Sequence, residues 1–535
     1  MQTRRRFLTA AGGFVAATVV APAWGGEVLA ASSRRRAFMG GKFAEGVMSG
    51  DPTPNAITLW TRLEDVHGSG SVRLEVARER SFRRLVAAEN VPTTAAAGHA
   101  VKVRVGGLKP REEYFYRFET QDAHSDVGRF RTAPPPDSRV PITFAFFSCQ
   151  DYTGGYYNAH RQLAREDVDF VVNLGDYIYA DRQHTQPGSG GDGLAVPGRV
   201  DPVEQARSLQ QYRNKYKLYR TDANLRRMQA AHALVSTWDD HEVTDDYAGR
   251  APNVIPNNAF TRKQQANAYR AFFESMPLFS PNRRTQLFRM LRFGRNVDLL
   301  LLDERQYRDA QPCGDPLVGN LDPASPDYCS NLNDPRTMLG AREGGFLAAR
   351  LASSNARWKA IANPVPIAPI RLVQAFATPD DWAGYTQARG EIIPLLQGRP
   401  EPDVVFVTGD VHTFITTGVP VSMDDPTVVA PEFVGGSITS FGFGEITISA
   451  GGGITLEGSP DNPGVPQSLQ DALLGLNPWA VETDTAHHGY AVAKFSSDAV
   501  DVEYVRMETT RRKGAGAIDP LRYALPRGER KPQKV

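Results

Sequence analysis

The sequence predicts an α/β protein that begins with a small all-β domain, and three observations support this. Residues 40–135 contain short runs in which apolar and polar side chains alternate, with turn residues between them. After Pro141, apolar runs alternate with longer, charge-dotted segments of helical pattern, which is typical of an α/β domain. Between the two parts, Thr132–Asp137 is rich in proline and stiff, as domain linkers often are. We therefore place the boundary between residues 135 and 140.

The all-β part has strand-like runs at Ala56–Thr61 and Val72–Val76. The segment Gly107–Pro110 is followed by Tyr114–Phe118, which has the pattern of a strand. This arrangement resembles the corner of a fibronectin-III-like sandwich, where a tyrosine anchors the turn. We expect residues 40–135 to form such a sandwich.

Composition excludes several functional classes. The chain has 535 residues, of which 23% are charged and 41% hydrophobic, so it is neither fully disordered nor fibrous. The formal net charge is only +1, which gives no global positive field to hold nucleic acid. Three cysteines are too few for a disulfide scaffold. These features favour a large globular protein that forms no stable complex with nucleic acid.

The first 30 residues have the pattern of an export signal. Arg4 and Arg5 precede an apolar stretch of small residues, and small residues around Ala23 and Ala30 suit a signal peptidase. The adjacent arginines predict recognition by the twin-arginine export machinery. The alternative is an amphipathic first helix. The sequence therefore predicts export to the periplasm or the extracellular space, with no integral membrane segment in the mature chain.

Five apolar runs of the α/β part read as buried strands, and a polar cluster follows each one directly. The runs are Ile142–Phe147, Phe170–Leu174, Ala233–Thr237, Val297–Leu302 and Val404–Thr408. The clusters are Ser148–Asp151, Gly175–Tyr179, Trp238–Glu242, Asp303–Arg308 and Gly409–His412. Ligands of α/β sheets bind outside the carboxyl ends of the strands, so we expect the five clusters to share one site.

Each cluster alone has a structural interpretation. An aspartate after a strand is often a turn or cap residue, and a single cysteine such as Cys149 is often a small buried hydrophobe. Together, however, the clusters bring carboxylates and imidazoles to one sheet edge. A centre of two or three cations needs a bridging carboxylate and terminal ligands, and the clusters contain both. They predict a metal centre.

The order of these clusters resembles the motifs of the metallophosphoesterases. Three departures from that pattern, at Ser148–Gln150, Asp240 and Asp410, resemble one branch, the PhoD-like alkaline phosphatases. That branch also has a twin-arginine signal and a sandwich domain that opens with a phrase like Gly46–Pro52. Further matching motifs are Gly175-Asp176-Tyr177-Ile178-Tyr179, Asp303–Arg308 and Gly435–Ser437. The resemblance runs from about Phe43 to about Tyr504.

The resemblance implies a fold, a set of metals and a set of ligands. Residues 140–510 would form a four-layer αββα sandwich, and 511–535 a C-terminal tail. The family is thought to carry Fe(3+) beside Ca(2+), and thiolate and phenolate ligands suit ferric iron while calcium takes oxygens. The implied iron ligands are Cys149, Asp176, Tyr179 and His412. Asp176 would bridge to calcium, with Asp240 and Asp410 as oxygen ligands on that side.

The activity implied is hydrolysis of small-molecule phosphate esters by metal-activated water, with an alkaline optimum. His241 would contact the phosphate or the leaving group. Either Arg305 or Arg308 would clamp phosphate oxygens, and the sequence does not decide between them. Asn363, after the strand-like run Trp358–Ala362, would add a hydrogen bond.

Two alternatives remain open at this point. The same scaffold can host a phosphodiesterase or a phospholipase D-type enzyme, and the loops 184–205 and 312–337 would decide the substrate. A non-enzymatic alternative is an exported carbohydrate- or surface-binding protein with structural metals. We also predict a disulfide between Cys313 and Cys329, because both lie in a Pro/Asp/Gly-rich loop of an exported chain. Cys149 would then be the free, metal-binding thiol.

Overall fold

The fold is described from a computed structural model. It covers residues 37–181, 195–203, 205–251, 259–279, 285–314, 318–372, 375–377, 379–445, 447–448, 454–455 and 467–535. The predicted export signal, residues 1–30, and most of the 184–205 loop lie outside these residues.

The N-terminal part consists of seven strands. They are β1 Val47–Thr53, β2 Ala56–Arg62, β3 Ser69–Ala77, β4 Leu85–Thr94, β5 Ala100–Gly106, β6 Glu113–Glu119 and β7 Gly128–Arg131. Strands β4-β3-β6-β7 form one four-stranded sheet in this order. The predicted tyrosine corner is confirmed, because the amide of Lys109 donates to Tyr114 Oη at 2.9 Å.

The remaining strands and the helices alternate along the chain. The strands are β8 Ile142–Phe147, β9 Phe170–Asn173, β10 Ala233–Ser236, β11 Arg289–Phe293, β12 Val297–Leu301, β13 Val318–Asn320, β14 Trp358–Asn363, β15 Arg371–Leu372, β16 Ala375–Ala377, β17 Val404–Thr408, β18 Phe414–Pro420, β19 Val428–Gly435, β20 Thr447–Ile448, β21 Ile454–Thr455, β22 Ala480–Asp484, β23 Gly489–Phe495, β24 Ala499–Arg506, β25 Leu521–Pro526 and β26 Gln533–Lys534. The helices are α1 Asn158–Leu163, α2 Leu209–Tyr219, α3 Ala223–Ala231, α4 Arg262–Ser275, α5 Gly340–Ser353, α6 Thr386–Gln397 and α7 Gln467–Leu476.

Two large sheets form the centre of the molecule. The first has ten strands in the order β26-β25-β24-β23-β8-β9-β10-β1-β2-β5, and the second has seven in the order β11-β12-β14-β17-β19-β18-β22. Strands β8, β9 and β10 run parallel, as do β12, β14 and β17. All five predicted strands are confirmed, and each differs from its predicted bounds by at most one residue at its end. Three of these strands lie in the ten-stranded sheet and two in the seven-stranded sheet. A site shared by the five polar clusters therefore has to be formed by the strand ends of both sheets.

The predicted four layers are present. Along β8, Phe144 and Phe146 point into the core between the two sheets, while Ala145 and Phe147 face a second core that includes residues of α1 to α4. On the other sheet, Val297, Leu299 and Leu301 of β12 belong to the core between the sheets, while Leu300 faces a third core that includes residues of α5 and α6. The order is therefore helices, ten-stranded sheet, seven-stranded sheet, helices. This alternation is the two-residue period of strands buried on both faces.

Two details of the chain termini and loops extend the sequence analysis. Residues 511–535, expected to be a tail, instead contribute β25 and β26, which continue the ten-stranded sheet beyond β24. The predicted disulfide between Cys313 and Cys329 is confirmed. It closes a loop of 16 residues, which is worth about 3 kcal/mol in the chain-entropy account.

Candidate metal centre

The candidate metal ligands lie where strands end and the chain turns sharply. Cys149 follows β8, Asp176 follows β9, and Asp410 and His412 follow β17. All four have positive φ, of 55°, 51°, 70° and 60° respectively. Such backbone costs on the order of 1–3 kcal/mol for each non-glycine residue, and it clusters at functional sites. The strain is a feature of the site that the surrounding contacts must offset.

Two glycines allow the loops to approach one another. A Cβ on Gly175 would lie 2.4 Å from the Asp239 Cβ, and a Cβ on Gly409 would lie 2.9 Å from Ser148. The glycine that precedes each of Asp176 and Asp410 is therefore required for steric reasons, since a side chain there would push neighbouring strand ends apart. This explains the repeated Gly-Asp pattern in the sequence.

Four potential ligands meet on one side of the centre, and three of them, Cys149, Asp176 and Tyr179, are buried. Ligand atoms of Cys149, Asp176 and His412 lie within 4.8 Å of one another. The Tyr179 hydroxyl lies 3.3 Å from Asp176 Oδ2 and 3.2 Å from His412 Nε2. His412 Nδ1 donates to the carbonyl of Phe441 at 2.7 Å, which leaves Nε2 directed at the cluster as a ligand. A thiol, a phenol, an imidazole and a carboxylate thus converge.

Carboxylates form the other side. Ligand atoms of Asp239, Asp240 and Asp410 lie within 4.8 Å of one another, and so do those of Asp176, Asp240 and His241. Asp176 therefore belongs to the thiol-containing group and, through the group that it forms with Asp240 and His241, lies next to the carboxylate group. This is the position that a bridging ligand needs.

The charges of these groups are unbalanced without a cation. Burial raises the pKa of Asp176 well above its usual value, and neighbouring carboxylates raise it further although His241 opposes them. Burial also raises the pKa of Asp410 to about 7, against the attraction of Arg305. Burial and the charge of Asp176 raise the pKa of the Cys149 thiol. Crowded buried acids of this kind gain from a metal ion that replaces their protons.

Asp240 is the exception among the buried acids. Burial opposes its ionisation, but Arg305 and His241 attract the carboxylate and the Asp246 amide donates to it, so its pKa is lowered. Its Oδ2 accepts that amide at 2.5 Å. Asp240 is therefore ionised and held in place before any cation arrives.

His241 lies beside the cluster with a defined orientation. Its Nδ1 is 2.9 Å from Asp181 Oδ1, and its Nε2 is 3.6 Å from Asp245 Oδ1. Burial lowers its pKa, but Asp181, Asp240 and Asp176 outweigh burial and raise it well above the usual value. Its ring is 4.1 Å from that of Tyr179 between centroids. A charged imidazole is thus placed next to the candidate metal ligands.

The two candidate arginines hold carboxylates of the chain. Arg305 is 0% exposed and donates to Asp239 and Asp380, with Nη2 3.4 Å from Asp410 Oδ1. Arg308 is also fully buried and pairs with Asp380. The expected phosphate clamp requires a guanidinium with two free N–H groups. Neither guanidinium offers such a pair to an incoming anion. In this structure they orient the carboxylate side of the centre.

Asn363 lies at the end of β14, as expected, but its amide is directed at the adjacent turn. It donates to the carbonyl of Val365, and its Oδ1 is buried without a hydrogen-bond partner among the described residues. The amide of Asn363 is therefore not directed at the centre, as a hydrogen bond to substrate would require.

Several residues of the site were not singled out from the sequence. Glu242 accepts the amides of Asp176, Tyr177 and Asp239 at 3.1, 2.7 and 2.8 Å, so one carboxylate ties two strand-end loops together. Ser440 donates to Tyr179 Oη at 2.5 Å. Glu242 lies within a cluster already noted in the sequence, but no local pattern indicates Ser440.

Comparison with known proteins identifies the family. The model of the PhoD-like phosphatase family matches residues 144–504, more than half of the chain, and the model of its N-terminal domain matches residues 29–134. The chain is 36% identical over 466 residues to alkaline phosphatase D of Bacillus subtilis (strain 168), which covers 82% of this chain and 77% of the relative. The chain belongs to the PhoD-like phosphatase family. It is a phosphatase with a metallophosphoesterase-type fold.

Solved structures agree with this assignment. A structure of PhoD matches this phosphatase with a TM-score of 0.78 and 30% identity over 92% of each chain. The purple acid phosphatase PPD1 from yellow lupin seeds matches with a TM-score of 0.50 and 14% identity, over 89% of this chain and 73% of that one. The second likeness concerns the fold alone. Within the part of the phosphatase that the structure describes, no helix has the length and apolar character needed to span a membrane.

Proposed function

We propose that this phosphatase hydrolyses small phosphate esters at a centre of ferric iron and calcium. The observation that carries the proposal is the convergence of Cys149, Asp176, Tyr179 and His412 in one largely buried group, next to the carboxylates of Asp240 and Asp410. Membership of the PhoD-like family favours an enzyme over the carbohydrate- or surface-binding alternative.

The donor set fits the two metals. A thiol and a phenol in one group suit a trivalent iron, whereas a group made only of carboxylates suits calcium. Asp176 belongs to the thiol-containing group and also to a group with Asp240 and His241, and Asp240 belongs to the all-carboxylate group, so Asp176 fits a bridging role. When bound, such cations neutralise phosphate oxygens and lower the pKa of a coordinated water.

The chain's own residues supply orientation and a proton. The Nδ1 of His241 is held by Asp181, which directs Nε2 away from that carboxylate and toward the space beside Asp245. With its raised pKa, His241 is suited to donate the Nε2 proton to the leaving-group oxygen. Arg305 supports the reaction indirectly, by orienting Asp239 and Asp410. In these roles, His241 lets the leaving group depart as a neutral alcohol, and Arg305 keeps the carboxylates in place.

The proposed location is outside the cytoplasm, reached by the twin-arginine route. The disulfide between Cys313 and Cys329 supports this, because such bonds persist in oxidising compartments. The adjacent Arg4 and Arg5 support the route. Replacing both arginines by lysine should leave the enzyme in the cytoplasm, and fractionation of producing cells measures this.

The test of the activity uses one preparation and two substrates. Turnover of p-nitrophenyl phosphate and of bis-p-nitrophenyl phosphate is measured across pH, then after a calcium chelator, and again after calcium is restored. We expect monoester hydrolysis with an alkaline optimum, rapid loss on chelation and recovery with calcium alone, because iron held by a thiolate and a phenolate exchanges slowly. The same preparation is analysed for iron and calcium.

Each departure from that result has a distinct meaning. Faster turnover of the diester would replace the monoesterase by the phosphodiesterase or phospholipase D-type alternative. Full activity in excess chelator, or recovery with zinc but never with calcium, would contradict the calcium assignment. Absence of iron in active enzyme would contradict the assignment of Cys149 and Tyr179 to iron.

A further inference from the structure

A buried segment, Ser437–Gly442, lies directly behind the thiol-containing side of the centre. The amides of Ile438 and Thr439 donate to the carbonyls of Ser148 and Cys149 at 3.1 and 3.3 Å. The segment therefore runs alongside the loop that carries Cys149. It follows Gly435–Ser437, a motif that the sequence analysis noted without assigning it a role.

Ser440 is the residue of this segment that touches the candidate ligands. Its hydroxyl is 2.5 Å from Tyr179 Oη and 3.0 Å from the carbonyl of Cys149, and it accepts the amide of Asp151 at 3.2 Å. The next residue, Phe441, accepts the hydrogen bond from His412 Nδ1. Two adjacent residues thus contact the side chains of two ligands and the backbone of a third.

The segment is itself held by a buried polar relay. Ser437 Oγ donates to the carbonyl of Ser440 at 2.5 Å and is 2.8 Å from His488 Nδ1. Glu445 accepts the amide of Gly442 at 2.8 Å and lies 3.4 Å from His488 Nε2. Because both ends of the segment are tied down, Ser440 has little freedom to turn away from Tyr179.

We propose that Ser440 is a positioning residue that donates a hydrogen bond to the metal-binding oxygen of Tyr179 and so sets the strength of its bond to iron. The proposal rests on the proposed iron site. A hydrogen bond to a ligand oxygen withdraws electron density from it, and such outer contacts typically change metal affinity by about 10- to 100-fold. Ser440 touches no substrate in this account and acts through Tyr179 alone.

The experiment compares the native enzyme with Ser440→Ala, Ser440→Cys and a neighbouring control, Thr439→Val. The Thr439 hydroxyl donates to the carbonyl of Asp151 and contacts no candidate ligand side chain in the described hydrogen bonds. For each protein, iron content, the visible absorption band of the iron-phenolate pair and the rate of iron loss to a chelator are measured on the purified full chain. Folding is followed by circular dichroism.

In Ser440→Ala we expect the band to move to longer wavelength, because an oxygen without the hydrogen bond donates charge to iron more readily. Iron should also be lost about tenfold faster, because without the Ser440 donor the oxygen of Tyr179 is protonated, and so displaced from iron, more readily. The thiol of Ser440→Cys is a weak donor, so its band position and its rate of iron loss should lie between those of the native enzyme and Ser440→Ala. This variant replaces Ser440→Ala in the test if the alanine variant does not fold. Thr439→Val should retain the native band and rate.

A native band position and native rate of iron loss in Ser440→Ala would overturn the proposal. The same shift in Thr439→Val would also overturn it, because the effect would then be a general loosening of the segment. A native enzyme that is active but shows no iron-phenolate band would refute the iron site itself. The failure of the inference and the failure of the proposed function are therefore distinguishable.

Discussion

At the scale of single residues, Cys149 distinguishes this centre from one built of oxygen ligands. It is the free cysteine of the described chain, it is fully buried, and its Sγ lies 3.1 Å from Ser148 Oγ. Burial and the charge of Asp176 raise the pKa of this thiol, so its thiolate form carries a cost unless a cation takes the place of the proton. Its conformation with φ of 55° adds to that cost.

We predict that Cys149→Ala loses iron and turnover together while the fold is retained. Loss of a direct ligand should reduce turnover by more than about 100-fold, since even outer contacts reach that magnitude. Elemental analysis, kinetics and circular dichroism measure the three properties. Ser236→Ala is a matched control, because Ser236 is equally buried at the end of β10 and its hydroxyl has no hydrogen-bond partner among the residues that the structure describes. If Cys149→Ala kept the native iron content, Cys149 would be an inert core residue and not a ligand.

The sequence locates the candidate ligands at one edge of the fold but does not indicate the residues that support them, for a physical reason. Cys149, Asp176 and Asp410 each follow a strand, so a local pattern locates them at the shared edge. The supports depend on contacts between distant loops. Ser440 meets Tyr179 across 261 positions of sequence, and Arg305 is paired with four aspartates rather than free for phosphate.

At the scale of elements, the central strands can be predicted from the sequence because they are buried on both faces. Runs such as β8 and β17 are apolar except for one threonine each, because each strand packs between two layers, and their predicted bounds agree with the structure. The partition of these strands between two sheets depends on pairing across the fold, which no single run encodes. The same holds for β25, whose pairing with β24 turns the expected tail into sheet.

One element junction makes stability depend on pH. His232 follows α3, and its Nε2 bonds the carbonyl of Leu163 at the end of α1 at 3.0 Å. Burial lowers its pKa from 6.5 to about 4. Between pH 6.5 and pH 4, His232 is therefore protonated in the unfolded chain and neutral in the folded chain. Stability that is present above pH 6.5 is lost as the pH falls toward 4.

We predict that His232→Gln loses less stability between pH 7 and pH 5 than the native enzyme, by about 2 kcal/mol. Glutamine can still donate to the Leu163 carbonyl but does not titrate in this range. Denaturant unfolding at both pH values measures the difference. The exposed His67→Gln provides the control and should follow the native enzyme. Parallel losses in His232→Gln and the native enzyme would show that His232 does not contribute.

At the scale of the whole molecule, the ten-stranded sheet joins the N-terminal strands to the catalytic part. β1 pairs in parallel with β10, so β1, β2 and β5 continue the sheet that carries Asp176. A buried ion pair reinforces this connection. Glu45, which is 1% exposed, lies 2.9 Å from Arg220 Nη1 and 3.3 Å from Arg62 Nη1. Arg220 in turn donates to Tyr177 Oη at 3.1 Å, next to Asp176.

This connection predicts that the two parts unfold as one unit and that Glu45→Gln destabilises both. Removing the carboxylate leaves two buried guanidinium groups without their partner, which costs about 3–5 kcal/mol. Asp65→Asn is the matched control, because Asp65 pairs with Lys42 at the surface, where both side chains are mostly exposed. We expect a single transition by tryptophan fluorescence and circular dichroism in all three proteins, shifted to lower denaturant only in Glu45→Gln. Two separated transitions in the native enzyme, or an equal shift in Asp65→Asn, would contradict this account, because the buried pair would then not couple the N-terminal strands to the strands that hold the metal centre.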